Sequence, residues 1–145
     1  MSRSPFIRTP ARILVVDDDP CIRDLLKLHL NSAGHHVREA EDALVAGRML
    51  IQSPPDLLIV DVEMPYMNGL ELVSTMLADQ TIPWIPVIFL TGKEGLEERA
   101  EALGAAYLKK PCKSDDLLRL VDAQLANVSV ALAAIGTRYP LLRAG

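Results

Sequence analysis

Two of the three strongest apolar runs in this 145-residue chain end in aspartate. Ile13-Leu14-Val15-Val16 leads into Asp17-Asp18-Asp19-Pro20, and Leu57-Leu58-Ile59-Val60 leads into Asp61. The third run, Val87-Ile88-Phe89-Leu90, ends in Thr91-Gly92, and a weaker one, Ala106-Tyr107-Leu108-Lys109, ends in Lys110-Pro111. Carboxylates gathered at one place resist joint ionisation unless a cation joins them. Oxygen-only donors select a hard ion, and a partly open site with few carboxylates suits Mg²⁺, which keeps waters and shares a phosphate. A lysine would neutralise a phosphoryl group from another side, and a threonine hydroxyl can donate to one of its oxygens. A carboxylate can itself be the nucleophile, forming an aspartyl phosphate. Together these are the parts of a phosphoryl-transfer site, where positioning and charge neutralisation are most of the chemistry.

Taken singly, each residue has an ordinary role. Asp-Asp-Asp-Pro can cap a helix, Asp61 can start a turn before Met64-Pro65, Thr91 can bond backbone, and Lys110 can be solvated. The joint pattern is what points to chemistry, and it requires a scaffold that brings four strand ends together.

That scaffold is legible. Continuous apolar runs mark strands buried on both faces, with His36–Glu39 and Ala106–Lys109 as edge candidates. Between them lie helical segments: Pro20–Leu30 with Ile22, Leu25, Leu26 and Leu30 on one side, and Glu41–Ile51 with Leu44, Val45, Arg48 and Ile51. Asn68–Ala78 carries Leu72, Val73, Met76 and Leu77; Glu94–Leu103 is closed by Gly104; the last helix has Ser114 as N-cap. Five strands alternating with five helices predict an α/β fold, a doubly wound five-stranded parallel (βα)5 sheet with helices on both faces. Ligands of such sheets bind outside the strands' carboxyl ends, where the chemistry-bearing residues stand.

Composition agrees. Half the residues are hydrophobic and 23% charged, enough apolar content to exclude a disordered chain. A net charge of −4 argues against direct nucleic-acid binding. Cys21 and Cys112 are too few for a disulfide framework or a zinc site and read as reduced thiols. No apolar run reaches membrane-spanning length and Met1–Pro10 is no secretory signal, so the expected address is the cytoplasm with no membrane partner.

The stretches Ile13–Pro20, Leu58–Leu72 (Leu-Ile-Val-Asp-Val-Glu-Met-Pro-Tyr-Met-Asn-Gly-Leu-Glu-Leu), Phe89-Leu90-Thr91 and Tyr107–Pro111, in this order, resemble the receiver domain of two-component response regulators. The resemblance covers residues 11–127, after a flexible arm at 1–10. It implies the flavodoxin-like strand order 2-1-3-4-5, which the residues alone do not give. It also implies that Asp61 accepts a phosphoryl group from a sensor histidine kinase or a phosphotransfer protein. Asp18 would bind Mg²⁺ directly, Asp17 through ordered water, and Asp61 and the main-chain carbonyl of Glu63 would complete the protein's share. Thr91 and Lys110 would contact the phosphoryl group, and Tyr107 would be an aromatic switch that turns inward when Thr91 moves. A downstream protein target would read the switch. The chain would be a single-domain regulator without small-molecule turnover.

Three positions depart from the family pattern. Gly92 stands where a small Ala or Ser is commoner, Cys112 where an aromatic is usual, and the interval Thr91–Lys110 is about one helical turn short. An aspartyl-nucleophile Mg²⁺-dependent phosphohydrolase is the alternative, but that class needs a second Asp where Glu63 stands. A flavodoxin-like FMN carrier would need a Gly/Ser/Thr-rich phosphate loop after the first strand, where this chain has aspartates that would repel the phosphate. The side chains of Glu63 and Lys93 are expected to flank the approach to Asp61 and to pair across it, slowing hydrolysis. Finally, Leu117, Val121, Leu125, Val128, Leu132 and Ile135 hold one helical stripe past the expected domain end. A helix from Ser114 to Ile135, stopping at Gly136, would be about 33 Å long and would offer residues 128–145 as an extension for a homodimer.

Overall fold

A computed structural model describes residues 10–138, with side chains described from 10 to 127. Five strands, β1 (Arg12–Val16), β2 (His36–Ala40), β3 (Leu57–Asp61), β4 (Val87–Thr91) and β5 (Ala106–Lys109), form one parallel sheet in the order β2-β1-β3-β4-β5. They alternate with α1 (Pro20–Ser32), α2 (Ala43–Gln52), α3 (Gly69–Ala78), α4 (Glu97–Ala102) and α5 (Ser114–Arg138). Because successive strand side chains point to opposite faces, each apolar run supplies both layers at once. Ile13, Val15, Leu57, Ile59, Ile88 and Leu90 pack beneath α1 and α5, against Leu26, Leu30, Leu117 and Val121. Leu14, Val16, Leu58, Val60 and Phe89 meet α2 and α3 through Ala46, Leu50, Val73 and Met76. The central strands are therefore apolar throughout until the residue where they leave the sheet.

The sequence misplaces some helix faces and ends. On α2 the buried positions are Ala43, Ala46 and Leu50, whereas Leu44 and Ile51 are exposed. The small residues let the helix lie close to the sheet, so the stripe of large residues is not the one that packs. Leu25 and Leu77 are likewise exposed, beside the buried Leu26 and Leu30 of α1 and the buried Val73 and Met76 of α3. α4 spans only Glu97–Ala102, not Glu94–Leu103: Gly95 has φ +84°, a left-handed conformation that a continuous helix cannot contain. Gly104 closes it as expected, with φ +70° and its N–H donated to Glu101. Ser114 is the first helical residue of α5 and not its cap, because the Leu117 N–H reaches back to the Lys113 carbonyl. α5 continues to Arg138, two residues past Gly136. All of the arm at 1–10 except Pro10, and the side chains of Val128, Leu132 and Ile135, lie outside the described residues.

Candidate functional site

Strand register builds the site. Val16 pairs with Val60 and Asp61 with Leu90, so the residues that end β1, β3 and β4 share one edge of the sheet. The three consecutive aspartates then divide their work. Asp19 is the N-cap of α1, its side chain accepting the Cys21 N–H at 2.9 Å, with Pro20 in the first turn. Asp17 is buried, and its Oδ1 accepts the Asp19 N–H at 2.9 Å. Asp18 is exposed and turns toward the open side of the site. One oxygen each from Asp17, Asp18 and Asp61 lie within 4.8 Å of one another.

Lys110 closes this group from the β5 side. Its Nζ lies 3.0 Å from Asp17 Oδ2 and 3.2 Å from Asp61 Oδ1. The Lys110 N–H donates to the Thr91 carbonyl at 2.7 Å and the Lys110–Pro111 peptide is cis. Burial alone would lower the lysine's affinity for its proton; the two aspartates more than reverse this and hold it charged. Asp61 is affected the other way. Burial first, and the negative charge of Asp17 second, push its carboxyl up to about 7 despite Lys110. A carboxylate triad with one ammonium group is short of positive charge, and all the donors are oxygens. The residues fit a hard divalent cation such as Mg²⁺ on the chemistry of that set.

Thr91, the last residue of β4, is fully buried. Its hydroxyl donates to Glu63 Oε1 at 2.9 Å and accepts the Lys93 N–H at 3.0 Å. The Glu63 N–H donates to Asp61 Oδ1 at 3.2 Å, so the residue two after Asp61 ties the β3 end to the β4 end. Among the described residues Glu63 forms no ion pair with Lys93: the carboxylate expected to pair across the mouth is held by Thr91 instead. Tyr107 stands apart from this cluster. The residue is more than a third exposed and its hydroxyl donates to Glu97 at 3.0 Å.

Two residues not singled out by their chemistry also shape the site. A Cβ on Gly69 would collide with the carbonyl oxygen of Asp61, and its N–H donates to the Val62 carbonyl at 3.0 Å. Glycine is thus required where α3 starts against the backbone of the central aspartate. The Pro-Tyr-Met-Asn-Gly stretch hints at a tight turn but does not show what lies beneath it. Arg23 on α1 donates through Nη1 to the Asp17 carbonyl at 2.6 Å and through Nε to Glu39 at 2.7 Å. Nothing local in the sequence ties Arg23 to a residue 16 positions away.

Comparison with known proteins agrees with this geometry. The family model of the response regulator receiver domain matches residues 13–122. The DNA-binding dual master transcriptional regulator RpaA of a Synechocystis strain is 32% identical over 117 residues, 79% of this chain and 48% of its own length. The response regulator MprA of Mycobacterium ulcerans is 37% identical over 117 residues, 79% of this chain and 50% of its own. Among solved structures, the chemotaxis response regulator CheY4 of Vibrio cholerae superposes with a TM-score of 0.73 at 31% identity, covering 79% of this chain and 98% of that one. The receiver domain of the sensor histidine kinase PA1611 of Pseudomonas aeruginosa, solved with a magnesium ion coordinated in its active site cleft, gives 0.73 at 26% identity and covers 81% and 99%.

The fold and site thus define a phosphorelay receiver, and the chain belongs to the response regulator receiver family of two-component systems. The hydrolase alternative is not favoured, and Glu63, which would have to replace its acid/base Asp, is bound to Thr91. The chain spans about half the length of the curated relatives it matches.

Proposed function

We propose that residues 11–127 form the receiver unit and that Asp61 is its phosphoacceptor. The observation that carries this is the placement of Asp61 between Asp17, Asp18 and the shared Lys110 ammonium group. Asp61 Oδ1 is engaged by Lys110 and the Glu63 N–H. Oδ2 would be the oxygen that attacks phosphorus. Asp18 and Asp61, with the Glu63 carbonyl and with Asp17 through water, would hold Mg²⁺, which when bound supplies charge neutralisation for the phosphoryl oxygens. Lys110 would exchange part of its pairing with Asp61 for a phosphoryl oxygen. The Thr91 hydroxyl would leave Glu63 for another, and that movement would open the space into which Tyr107 turns.

The phosphodonor would be a sensor histidine kinase or a phosphotransfer protein, and the reader a downstream protein whose affinity depends on the Tyr107 face. This makes the protein a cytoplasmic switch and not a turnover enzyme. Among the described residues no helix is long and apolar enough to cross a membrane. The extension 128–145 would pair with a second copy through Val128, Leu132 and Ile135, the continuation of a stripe whose first members, Leu117 and Val121, are buried against the sheet. Incubation with Mg²⁺ and a small phosphodonor, followed by intact mass, tests the core of this reading. One phosphate adduct is expected in wild type and none in Asp61→Asn; an adduct of equal yield in Asp61→Asn would sink it.

A further inference from the structure

Asp18 lies between two peptide planes, and a side chain fastens each of them. The Asp17 carbonyl, part of the plane before Asp18, accepts from Arg23 Nη1 at 2.6 Å. The Asp19 N–H, part of the plane after it, donates to Asp17 Oδ1 at 2.9 Å. Asp17 is itself anchored, its N–H donating to the Ala40 carbonyl of β2 at 3.2 Å. The Arg23 N–H closes the first turn of α1 on the Asp19 carbonyl at 3.1 Å, so one residue holds a carbonyl on either side of Asp18. The guanidinium is fixed in turn: Nε donates to Glu39 Oε1 at 2.7 Å, and the other oxygen of Glu39 takes Lys27 Nζ at 2.6 Å. Only 13% of the Arg23 side chain is exposed, against 36% for Lys27. The backbone of Asp18 is thus set by its neighbours, while the residue stays exposed toward an open pocket bordered by Glu63, Asn68 and Lys93.

From this arrangement we infer that Arg23 is a positioning residue for the metal site: by holding the Asp17 carbonyl it aims Asp18 before any ion arrives. The inference rests on Asp18 binding Mg²⁺ directly. A ligand already aimed loses little freedom when the ion binds, whereas one on a loose loop must be ordered at that moment. Contacts behind the ligands in this way set the affinity of a metal site without touching the ion. Arginine suits the task because its planar fork reaches two acceptors at once, the loop carbonyl and Glu39 of β2. A lysine ammonium is a point donor on a flexible stem and does not reproduce that fork. Charge alone predicts the opposite sign. A cation near three carboxylates repels Mg²⁺, so deleting it would tighten binding.

Calorimetric titration of the full chain with Mg²⁺ separates these two effects. Arg23→Lys, which keeps the charge, is expected to weaken binding roughly three- to fivefold. Arg23→Met, which also removes the repulsion, should weaken it less at low salt, the two variants converging as salt screens the charge. Labelling of Arg23→Lys by a small phosphodonor should need correspondingly more Mg²⁺, while the rate at saturating Mg²⁺ stays close to wild type. Lys27→Gln takes a cation from the same Glu39 without touching Asp17, and should bind Mg²⁺ no more weakly than wild type. One measurement needs no variant: in the metal-free wild type the Arg23 guanidinium protons should exchange slowly with solvent by NMR. Unchanged affinity in Arg23→Lys overturns the inference, as does an equal fall in Lys27→Gln. So does tighter binding in Arg23→Met at high salt, a lower saturated rate with no change in the Mg²⁺ requirement, or fast exchange of the guanidinium protons. Failure of the underlying reading looks different: no Mg²⁺ binding by wild type, or Asp18→Ala binding Mg²⁺ as wild type does.

Discussion

Two groups of charged side chains lie next to one another at the C-terminal edge of the sheet, joined by Arg23. In one, Glu39 at the end of β2 receives Arg23 Nε at 2.7 Å and Lys27 Nζ at 2.6 Å, two cations on one carboxylate. Hydrogen bonds from Lys27 and then Arg23 hold the Glu39 carboxyl below the usual glutamate range, although burial opposes them. In the other, three aspartates share one lysine, and Asp61 sits at about 7. The first group is satisfied by the protein's own residues; the second sets three carboxylates against one ammonium group and is short of positive charge. Uncompensated charge at one end of a well-packed sheet costs stability, and functional sites are where such costs are retained.

The largest consequence is for Asp61 in metal-free buffer. Its folded-state value lies above that of an unfolded aspartate, so its contribution is fully present below about 3.8 and is lost as pH rises through about 7. Ionised Asp61 then destabilises the fold by roughly 4 kcal/mol, an upper figure because Lys110 and water relax around it. With a chelator present, Asp61→Asn should unfold at a higher temperature than wild type at pH 8, and the gap should shrink toward pH 5. Added Mg²⁺ should narrow it at pH 8. A gap independent of pH would mean the two charged groups do not differ in this way.

Gly69 tests how closely the acidic group is packed. In Gly69→Ala the new methyl meets the Asp61 carbonyl, backbone that cannot swing away. Overpacking of this kind costs about 1–3 kcal/mol. Urea unfolding should show that loss, together with slower labelling by a phosphodonor. Gly47, around which a Cβ meets nothing within 4 Å, is the control: Gly47→Ala should be neutral or stabilising.

Much of this was readable from the chain because strand ends are marked where apolar runs stop. Asp17, Asp61, Thr91 and Lys110 each follow or end such a run, and a parallel sheet can only bring those ends to one edge. What the sequence hides depends on contacts between distant elements. The Glu39–Arg23 pair, the hold of Glu63 on Thr91, and the closeness of Gly69 to Asp61 all join residues on different elements with no periodic signal. Leu44 and Ile51 mislead for a related reason: helical spacing records which residues share a face, but not which face small residues allow to approach.

Within the acidic group, Asp17 and Asp18 should separate by function. Asp17 is buried and engages both Lys110 and the Asp19 N–H, whereas Asp18 is exposed toward the pocket. Calorimetric titration should show Asp18→Ala weakening Mg²⁺ binding about tenfold, ~1.4 kcal/mol, with little change in thermal stability. Asp17→Asn should instead lower stability, since Lys110 loses its shorter ion pair. Equal effects of both variants on both readouts would remove the distinction.

The smallest effect is expected at the satisfied group, and its sign in pH is opposite to that of Asp61. Glu39 has a folded-state value below its unfolded one, so its contribution is present above the ordinary glutamate range and is lost as pH falls through the lowered value. Glu39→Gln keeps the shape but removes the charge that Arg23 and Lys27 share. With a third of the Glu39 side chain exposed, solvent screens much of the interaction, and the loss near neutral pH should be about 1 kcal/mol. The difference between wild type and Glu39→Gln should close on acidification, whereas that between wild type and Asp61→Asn opens as pH rises. Because Arg23 also donates to the Asp17 carbonyl, freeing it from Glu39 should loosen the loop that presents Asp17 and Asp18. Mg²⁺ affinity in Glu39→Gln should therefore fall slightly, by less than in Asp18→Ala. If affinity is unchanged while stability drops, Arg23 holds the Asp17 carbonyl without help from Glu39, and the two groups are neighbours without coupling.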